Sequence, residues 1–234
     1  MRLFTDEKLV DRQTKIARYA TFAGLAVLAA SLFTSFTDNF ALAYVALFIG
    51  FILAYFGASS ANRWIKEPRA DHALAKALKG FDNKYQLYNF LQPVSHFLVT
   101  PTGILVFKIK SLDGDISYVN GKWNRPWKMS RLIGGMGQEP LGDPMKELNV
   151  EIDKVKKFIA DKLPNAAIVP VDGYVVFTDP KAQLSIDDPA LPVVTANDLK
   201  DTLRKSKRGA VLPPQTQDAI AKLFSQDAHG ETTE

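Results

Sequence analysis

Two lysines stand out in the segment GILVFKIKS, residues 103–111, because they lie two positions apart at the end of an apolar strand pattern. Side chains alternate between the two faces of a strand, so Lys108 and Lys110 should leave on the same side. Two ammonium groups this close repel one another unless an acidic side chain or a bound anion neutralises them. The pair therefore predicts either ion pairs with carboxylates or a small anion-binding site.

The composition of the 234 residues removes several kinds of chemistry. There is no cysteine, which excludes disulfides, cysteine nucleophiles and zinc sites built on thiolates. The three histidines, His72, His96 and His229, lack ligand spacing, so we expect no metal and no cofactor. The net charge of +4 makes the protein mildly basic, which permits an anionic partner without identifying one.

Two uncharged segments near the start of the sequence, residues 19–36 and 40–61, predict a transmembrane hairpin, residues 19–61. Each approaches the roughly 20 residues that a helix needs to cross the hydrocarbon of a bilayer. The connection TDN, residues 37–39, is so short that the two helices must be antiparallel neighbours. A cleaved signal peptide is not expected, because the second apolar segment follows at once.

Basic residues flank the hairpin on both outer sides and are missing from its turn. The positive-inside rule then makes residues 1–18 a cytoplasmic N-terminal segment. We expect a multi-pass protein of the cell membrane with two spans, with both termini and the α/β domain in the cytoplasm and with membrane lipid as a partner. The basic residues are Arg2, Lys8, Arg12, Lys15 and Arg18 before the first span, and Arg63, Lys66 and Arg69 after the second.

Small residues recur every four positions on the second span, at Gly50, Ala54 and Ala58. Such a stripe lets another helix approach closely. Two interpretations stay open: packing inside the hairpin against Ala23 and Ala30, or docking of another membrane subunit. Neither span carries Glu, Lys, Arg or His, so no proton or ion pathway is indicated.

The rest of the sequence has the pattern of an α/β domain, residues 62–208, followed by a short helix and a polar tail, residues 209–234. A helix follows Pro68, and Asp143 with Pro144 begins a long amphipathic helix. Strand patterns occupy the sequence between these two helices and continue after the second one. The last ten residues, SQDAHGETTE, are polar, and we expect them to be disordered.

Two further segments have a plain and a functional interpretation. RLIGGMGQEPLGDP, residues 131–144, contains a Gly-rich run but lacks the G-K-[ST] of a phosphate-binding loop, so we expect a flexible connection. RKSKR, residues 204–208, is either the charged end of a helix or a contact for acidic lipid headgroups or nucleic acid.

Several segments together resemble the nuclease-related domain (NERD) family, a relative of the PD-(D/E)XK nucleases. The resemblance covers about residues 69–203 and leaves the hairpin outside. It implies an α/β fold in which an N-terminal transmembrane helical hairpin is followed by a nuclease-like domain with a mixed sheet. The segments are DHALAKALKGFDNKYQLYNFL, SHFLVTPTGILVFKIKSLDGDI, GKW, DPMKELNVEIDKVKKFI, PVDGYVVFTDPKAQLSI and LPVVTANDLKDTL.

The resemblance also implies where nuclease residues would stand. Such enzymes carry an acid on the first helix, Asp before His on one strand and Glu-X-Lys on the next, so that carboxylates bind a divalent cation and the lysine steadies negative charge. Here Asp71 takes the helix position, Ser95 stands for the strand Asp, Lys108 stands for the Glu, Lys110 matches the lysine, and Glu147 replaces a glutamine of the later helix. The motif is degenerate, so no catalytic or metal-binding residue is expected.

The exchange of Glu for Lys alters the charge at a magnesium site by two units, and each close unit pair is worth roughly 4 kcal/mol. Asp113 and Asp115 could supply a carboxylate, but they follow the strand in a turn and are expected to lie on the surface. We expect Lys108 to pair with Asp71 or Glu147. The alternative is a basic pocket at Lys108 and Lys110 that binds phosphate or another anion.

These features favour a membrane-anchored, catalytically inactive nuclease-like domain that serves as a binding or structural module, such as an accessory subunit of a membrane complex. One alternative is a metal-dependent nuclease tethered to the cytoplasmic membrane face. The other is a non-cleaving nucleic-acid binder that uses Lys108, Lys110 and the cluster 204–208. Nucleic acid is the less favoured partner, because acidic residues are dispersed through the domain.

Overall fold

The computed structural model describes residues 1–37, 39–127, 138–164, 169–206 and 209–230. The chain forms two compact units. The hairpin unit consists of Glu7–Arg69 with the connection Trp127–Glu139, and the α/β unit consists of Met1–Asp6, Ala70–Pro126 and Pro140–Glu234. The GGMG run and the last two residues of the basic cluster 204–208 lie outside the described residues, so their predicted roles stay predictions.

Two long helices build the hairpin unit, α1 at Glu7–Thr34 and α2 at Phe40–Trp64. Both are long and apolar enough to cross a membrane. Helix α2 begins where Asn39 accepts a hydrogen bond from the backbone N–H of Leu42 at 3.3 Å. Helix α1 begins well before the predicted span at Tyr19, so Lys8, Arg12, Lys15 and Arg18, which we assigned to a separate segment, belong to its first turns, whereas Arg2 lies in strand β1, Arg2–Thr5.

Small side chains fill the contact between α1 and α2. The buried positions recur every seven residues, which is the repeat of helices packed along a left-handed seam. A Cβ on Gly24 would lie 2.4 Å from the backbone nitrogen of Ala54, and one on Gly57 would lie 2.5 Å from that of Thr21. The buried set is Val10, Ala17, Gly24 and Ser31 in α1, with Ala43, Gly50, Gly57 and Trp64 in α2.

Two residues of the predicted small stripe lie against α1. Gly50 packs on Leu28, where a Cβ would come within 2.9 Å, and Ala54 packs on Gly24. The predicted contacts with Ala23 and Ala30 are wrong, because both are exposed. Each directly precedes a seam residue, Gly24 or Ser31, and therefore lies about 100° from the seam around α1. Local spacing in α2 alone could not reveal which of the neighbouring residues makes the contact.

The large apolar side chains of the hairpin face outward. Phe22, Phe33 and Phe48 are 67–73% exposed, and many other large apolar residues of both helices are at least half exposed. A helix pair in water would bury its largest side chains, because their removal from water drives the association. A pair in lipid gains nothing from that and instead associates through small residues that allow close backbone contact. The distribution therefore suits an apolar surrounding.

The α/β unit is built on a mixed sheet that the described residues order as β1-β2-β3-β4-β7-β9. Strands β2–β4 are antiparallel neighbours, whereas β1 on β2, β7 on β4 and β9 on β7 are parallel. A second sheet has the order β6-β5-β8. The strands are β1 Arg2–Thr5, β2 Gln86–Asn89, β3 His96–Thr100, β4 Gly103–Lys110, β5 Gly114–Val119, β6 Lys122–Asn124, β7 Val171–Phe177, β8 Ala182–Ile186 and β9 Val193–Thr195.

Helices cover both faces of the larger sheet. Helix α3, Ala70–Ala77, and helix α5, Leu199–Lys205, pack on the side of Leu98, Phe107 and Val176. Helix α4, Pro144–Lys162, and helix α6, Pro214–Gly230, pack on the side of Phe97, Val106 and Val175. The two apolar layers fix which strand residues face which helix.

Three elements differ from the sequence-based expectation. Strand β1 was not expected, since it is a four-residue edge strand whose partner β2 lies far along the chain. Strand β8 was also missed, because its half-exposed residues give no clear apolar pattern. Helix α6 continues to Gly230, so the disorder predicted from residue 225 is wrong for residues 225–230, and residues 231–234 lie outside the described part.

Candidate functional site

Strand β4 carries the two lysines to one edge of the apolar layer under α4. The strand lies between β3 and β7, and Val106, Lys108 and Lys110 point to the same face. Val106 belongs to the core, whereas the lysines continue its row toward the carboxyl end of the strand. The predicted common direction of the two ammonium groups follows from this alternation.

Helix α4 brings two acidic side chains to the same place. Asp143 caps its first turn by accepting a hydrogen bond from the backbone N–H of Lys146 at 3.1 Å, and Pro144 follows at the first helical position. Gly173 of β7 lets the helix come close, because a Cβ there would lie 2.7 Å from Leu148. Glu147 and Glu151 are one turn apart and therefore share the flank of α4 that faces the lysines.

The four side chains form a connected ion-pair network. The Lys108 ammonium lies 2.9 Å from Glu151 Oε1 and 3.0 Å from Glu147 Oε2. The Lys110 ammonium lies 3.1 Å from the same Glu147 Oε2 and 3.2 Å from Oε1. It also approaches the carbonyl of Pro140 at 3.5 Å. We name Lys108, Lys110, Glu147 and Glu151 the lysine–glutamate cluster.

Burial makes this cluster stronger than a surface ion pair. The side chain of Lys110 is 4% exposed and that of Lys108 is 22% exposed, so water screens the charges only in part. Burial by itself lowers the pKa of Lys108, but the hydrogen bond and charge of Glu151, followed by those of Glu147, outweigh it and raise the pKa. Lys108 is therefore held in its charged form.

The other residues of the predicted motif occupy different surroundings. Ser95 lies two residues before Phe97, which pairs with Val106, so the antiparallel register places Ser95 at the end of the sheet that carries Lys108. Asp71 is buried in the first turn of α3, with His72 Nε2 3.8 Å from its Oδ2. Because α3 and α4 cover opposite faces of the sheet, Lys108 pairs with Glu147 and Glu151 and not with Asp71.

The remaining charged candidates have structural positions. Asp113 forms an ion pair with Arg125, and Asp115 is exposed on β5. Arg204 and Lys205 lie in the last turn of α5, as expected for the charged end of a helix. Among the positions that the resemblance singles out, charged side chains therefore come together mainly in the lysine–glutamate cluster.

A divalent cation does not fit the residues present at these positions. An ammonium stands where a metal-binding carboxylate is expected, and the two oxygens of Glu147 are already shared between Lys108 and Lys110. Ser95 offers only a hydroxyl. No set of three acidic or histidine side chains among the described residues could hold a metal ion.

Glu151 is the member of the cluster that the sequence did not reveal. The resemblance singled out only Glu147, which stands at the position of the family's glutamine, and gave no role to Glu151. The signal was available, because Glu151 follows Glu147 by one turn and flanks the apolar stripe of α4. Its second oxygen, Oε2, is buried and accepts no hydrogen bond within the described residues, so Lys108 supplies its principal counter-charge.

We predict that Lys108→Met lowers the free energy of unfolding by about 2 kcal/mol, because it leaves the largely buried Glu151 carboxylate without its cation. The control Lys154→Met, at an exposed position of helix α4, should change the free energy of unfolding by less than about 0.5 kcal/mol. Urea unfolding of the purified chain in detergent, followed by circular dichroism, measures both.

The pH dependence provides the internal control. A group whose pKa is raised by folding stabilises fully below its ordinary value, here 10.5, and the contribution is lost as the pH rises through the raised value. The difference between the wild type and Lys108→Met should therefore be constant near neutral pH and shrink at strongly alkaline pH. Equal stability of the two proteins at pH 7 would contradict the role given to the ion pair.

Comparison with known families places this geometry in context. The sequence model of the nuclease-related domain (NERD) family matches residues 62–178, which is half of the chain. The matched part contains α3, strands β2–β6, α4 and β7, and thus the whole lysine–glutamate cluster. No curated protein and no solved structure matches the chain. The structure also contains two apolar N-terminal helices and a mixed, nuclease-like sheet. Because the match covers half of the chain, the chain belongs to the nuclease-related domain family.

Proposed function

We propose that this family member is a membrane-anchored, catalytically inactive nuclease relative that works as a binding or structural module, an accessory subunit of a membrane complex. The observation that carries the proposal is the position of the Lys108 ammonium, which is bonded to Glu147 and Glu151 where the family pattern has a carboxylate for a metal. The inactivity is inferred from the positive charge at this position. The role as a module is inferred from the sheet and covering helices that the fold retains.

Electrostatics supports the loss of hydrolysis. A divalent cation near Lys108 and Lys110 would meet two ammonium groups, and each close pair of like unit charges costs roughly 4 kcal/mol at an effective dielectric constant near 20. Metal-dependent hydrolysis needs the cation to polarise the phosphodiester and to lower the pKa of a water molecule. The cluster supplies its own positive charge, so the carboxylates have no charge left for a metal.

The retained architecture supports a role in binding or assembly. Both faces of the sheet are covered by helices, and an apolar layer fills the space on each side. The hairpin supplies a second element that concentrates the protein at a membrane. We infer that an α/β unit tethered in this way suits the organisation of other components better than the turnover of a substrate.

We predict that the purified chain does not cleave DNA or RNA in the presence of Mg²⁺ or Mn²⁺. The double variant Ser95→Asp/Lys108→Glu should restore carboxylates to both strand positions and gain stabilisation by Mn²⁺ in a thermal-unfolding assay. The matched control Ser95→Asn/Lys108→Gln has nearly the same shape without the added charge and should gain none. Metal-dependent cleavage by the wild type that disappears in Lys110→Ala would overturn the proposal.

The accessory role predicts a stable complex. Of the three stripe residues that could dock a membrane subunit, Gly50 and Ala54 already pack on α1, whereas Ala58 is half-buried. We expect native mass spectrometry of the chain, extracted in mild detergent, to show a bound subunit that is lost in Ala58→Phe. Ala41→Phe, at an exposed position of the same helix, should retain it. A strictly monomeric wild type would contradict the accessory role.

The distribution of basic residues supports an orientation in which the start of α1 and the end of α2 face the cytoplasm. The absence of cysteine allows a direct measurement with single cysteines. We predict that a membrane-impermeant maleimide added to intact cells labels Thr37→Cys in the hairpin turn and does not label Lys122→Cys on β6, until the cells are opened. Both native positions are exposed, so reversed labelling would contradict this orientation.

A further inference from the structure

The hairpin unit carries cations that the fold does not neutralise. Arg12, Lys15 and Arg18 are exposed on the first turns of α1, on the side away from the buried Val10 and Ala17. None of the three forms an ion pair with any residue in the described part of the chain. This contrasts with Lys108 and Lys110, whose charges are matched within the α/β unit.

These cations lie at one end of the hairpin together with those in and after the last turn of α2. Thr14 Oγ1 donates a hydrogen bond to the carbonyl of Trp64 at 3.4 Å, which places the first turns of α1 beside the last turn of α2. Arg63 is exposed and stacks over the Trp64 ring at 5.2 Å. We name the basic residues of 7–18 and 62–69 the basic belt: Lys8, Arg12, Lys15, Arg18, Arg63, Lys66 and Arg69, against the acidic Glu7, Asp11 and Glu67.

The belt borders the apolar surface directly. Arg18 precedes Tyr19, which is 74% exposed, and large outward-facing apolar residues such as Phe22 continue along α1 from there. Basic and aromatic side chains at this level of a spanning helix lie among the lipid headgroups. Guanidinium and ammonium groups in that layer pair with phosphates, and their attraction to an anionic leaflet acts within about 10 Å.

We propose that the basic belt binds anionic phospholipid headgroups in the leaflet that surrounds this end of the hairpin. The chemistry is that of a phosphodiester carrying a net negative charge, as in phosphatidylglycerol, paired with Arg12, Lys15 and Arg18. The proposal rests on the membrane anchoring given under the proposed function. It adds a lipid preference, which the spans alone do not require because hydrocarbon contacts do not distinguish headgroups.

The test compares retained lipids after reconstitution. The full chain is placed in bilayers of equal phosphatidylglycerol and phosphatidylcholine, extracted in mild detergent and examined by native mass spectrometry. The wild type should retain phosphatidylglycerol several-fold over phosphatidylcholine. The triple variant Arg12→Gln/Lys15→Gln/Arg18→Gln should lose most of this several-fold preference and approach the bulk ratio, because each cation near the surface contributes to the attraction of anionic lipid.

The matched control separates position from net charge. Lys154→Gln/Lys156→Gln/Lys157→Gln removes the same charge from the exposed face of α4 and should leave the lipid ratio unchanged. A wild type that retains both lipids in the bulk ratio, or a control that loses as much as the triple variant, would overturn the proposal. The proposal would also be overturned if the triple variant Arg12→Gln/Lys15→Gln/Arg18→Gln lost binding of a single-stranded oligonucleotide but kept the lipid ratio of the wild type.

An alkaline carbonate wash distinguishes this proposal from the anchoring on which it rests. The wild type and both triple variants should remain in the membrane, since the apolar helices hold them there. A wild type that washes off overturns the anchoring and the lipid preference together. A wild type that stays in the membrane but shows no lipid preference overturns the lipid preference alone.

Discussion

The bond between Lys108 and the two glutamates of α4 ties the central strand of the sheet to the helix that covers it. The contact needs two features at once: the alternation of β4, which turns Lys108 and Lys110 the same way, and the close approach of α4 over Gly173. Without acidic partners, two largely buried ammonium groups would repel one another and lack solvation. Without the lysines, Glu147 and Glu151 would present two uncompensated negative charges. Each half of the cluster is acceptable only because the other is present.

Under the proposed function, this reciprocity would let a nuclease-like sheet keep its shape without a metal. In the family pattern, a divalent cation would balance carboxylates that converge at the end of the strands. Here the balancing charge is covalently attached to β4. The positive charge therefore does not depend on the concentration of free metal, and the surrounding backbone can retain the same topology. The cost lies in chemistry, because an ammonium group has no open coordination position for a water or a phosphate oxygen.

The features that the sequence predicted are those written in local patterns. The hairpin followed from two uncharged segments, the common direction of Lys108 and Lys110 from strand alternation, and the start of α4 from Asp143 and Pro144. The features that it missed depend on distant partners. Strand β1 is recognisable only by its pairing with β2. Helix α6 was predicted as a short helix, and Ile220 and Phe224 pack it into the core beside Phe97, but its continuation to Gly230 was missed. Glu151 was overlooked because its role exists only once α4 lies across β4.

Charge balance separates the two groups of cations in this protein. The lysines of β4 find their anions within the same unit, and the fold therefore needs nothing from outside to stabilise them. Arg12, Lys15 and Arg18 stand on a helix whose buried side is made of small apolar residues, and no acidic side chain pairs with them in the described part of the chain. An unmatched cation in water is well solvated, but one beside exposed aromatic and aliphatic groups is positioned for a surface that is apolar on one side and anionic on the other. A bilayer leaflet has both properties. On the proposal made above, the open end of the hairpin, and not the lysine–glutamate cluster, is therefore the place where an external anion would act on this molecule.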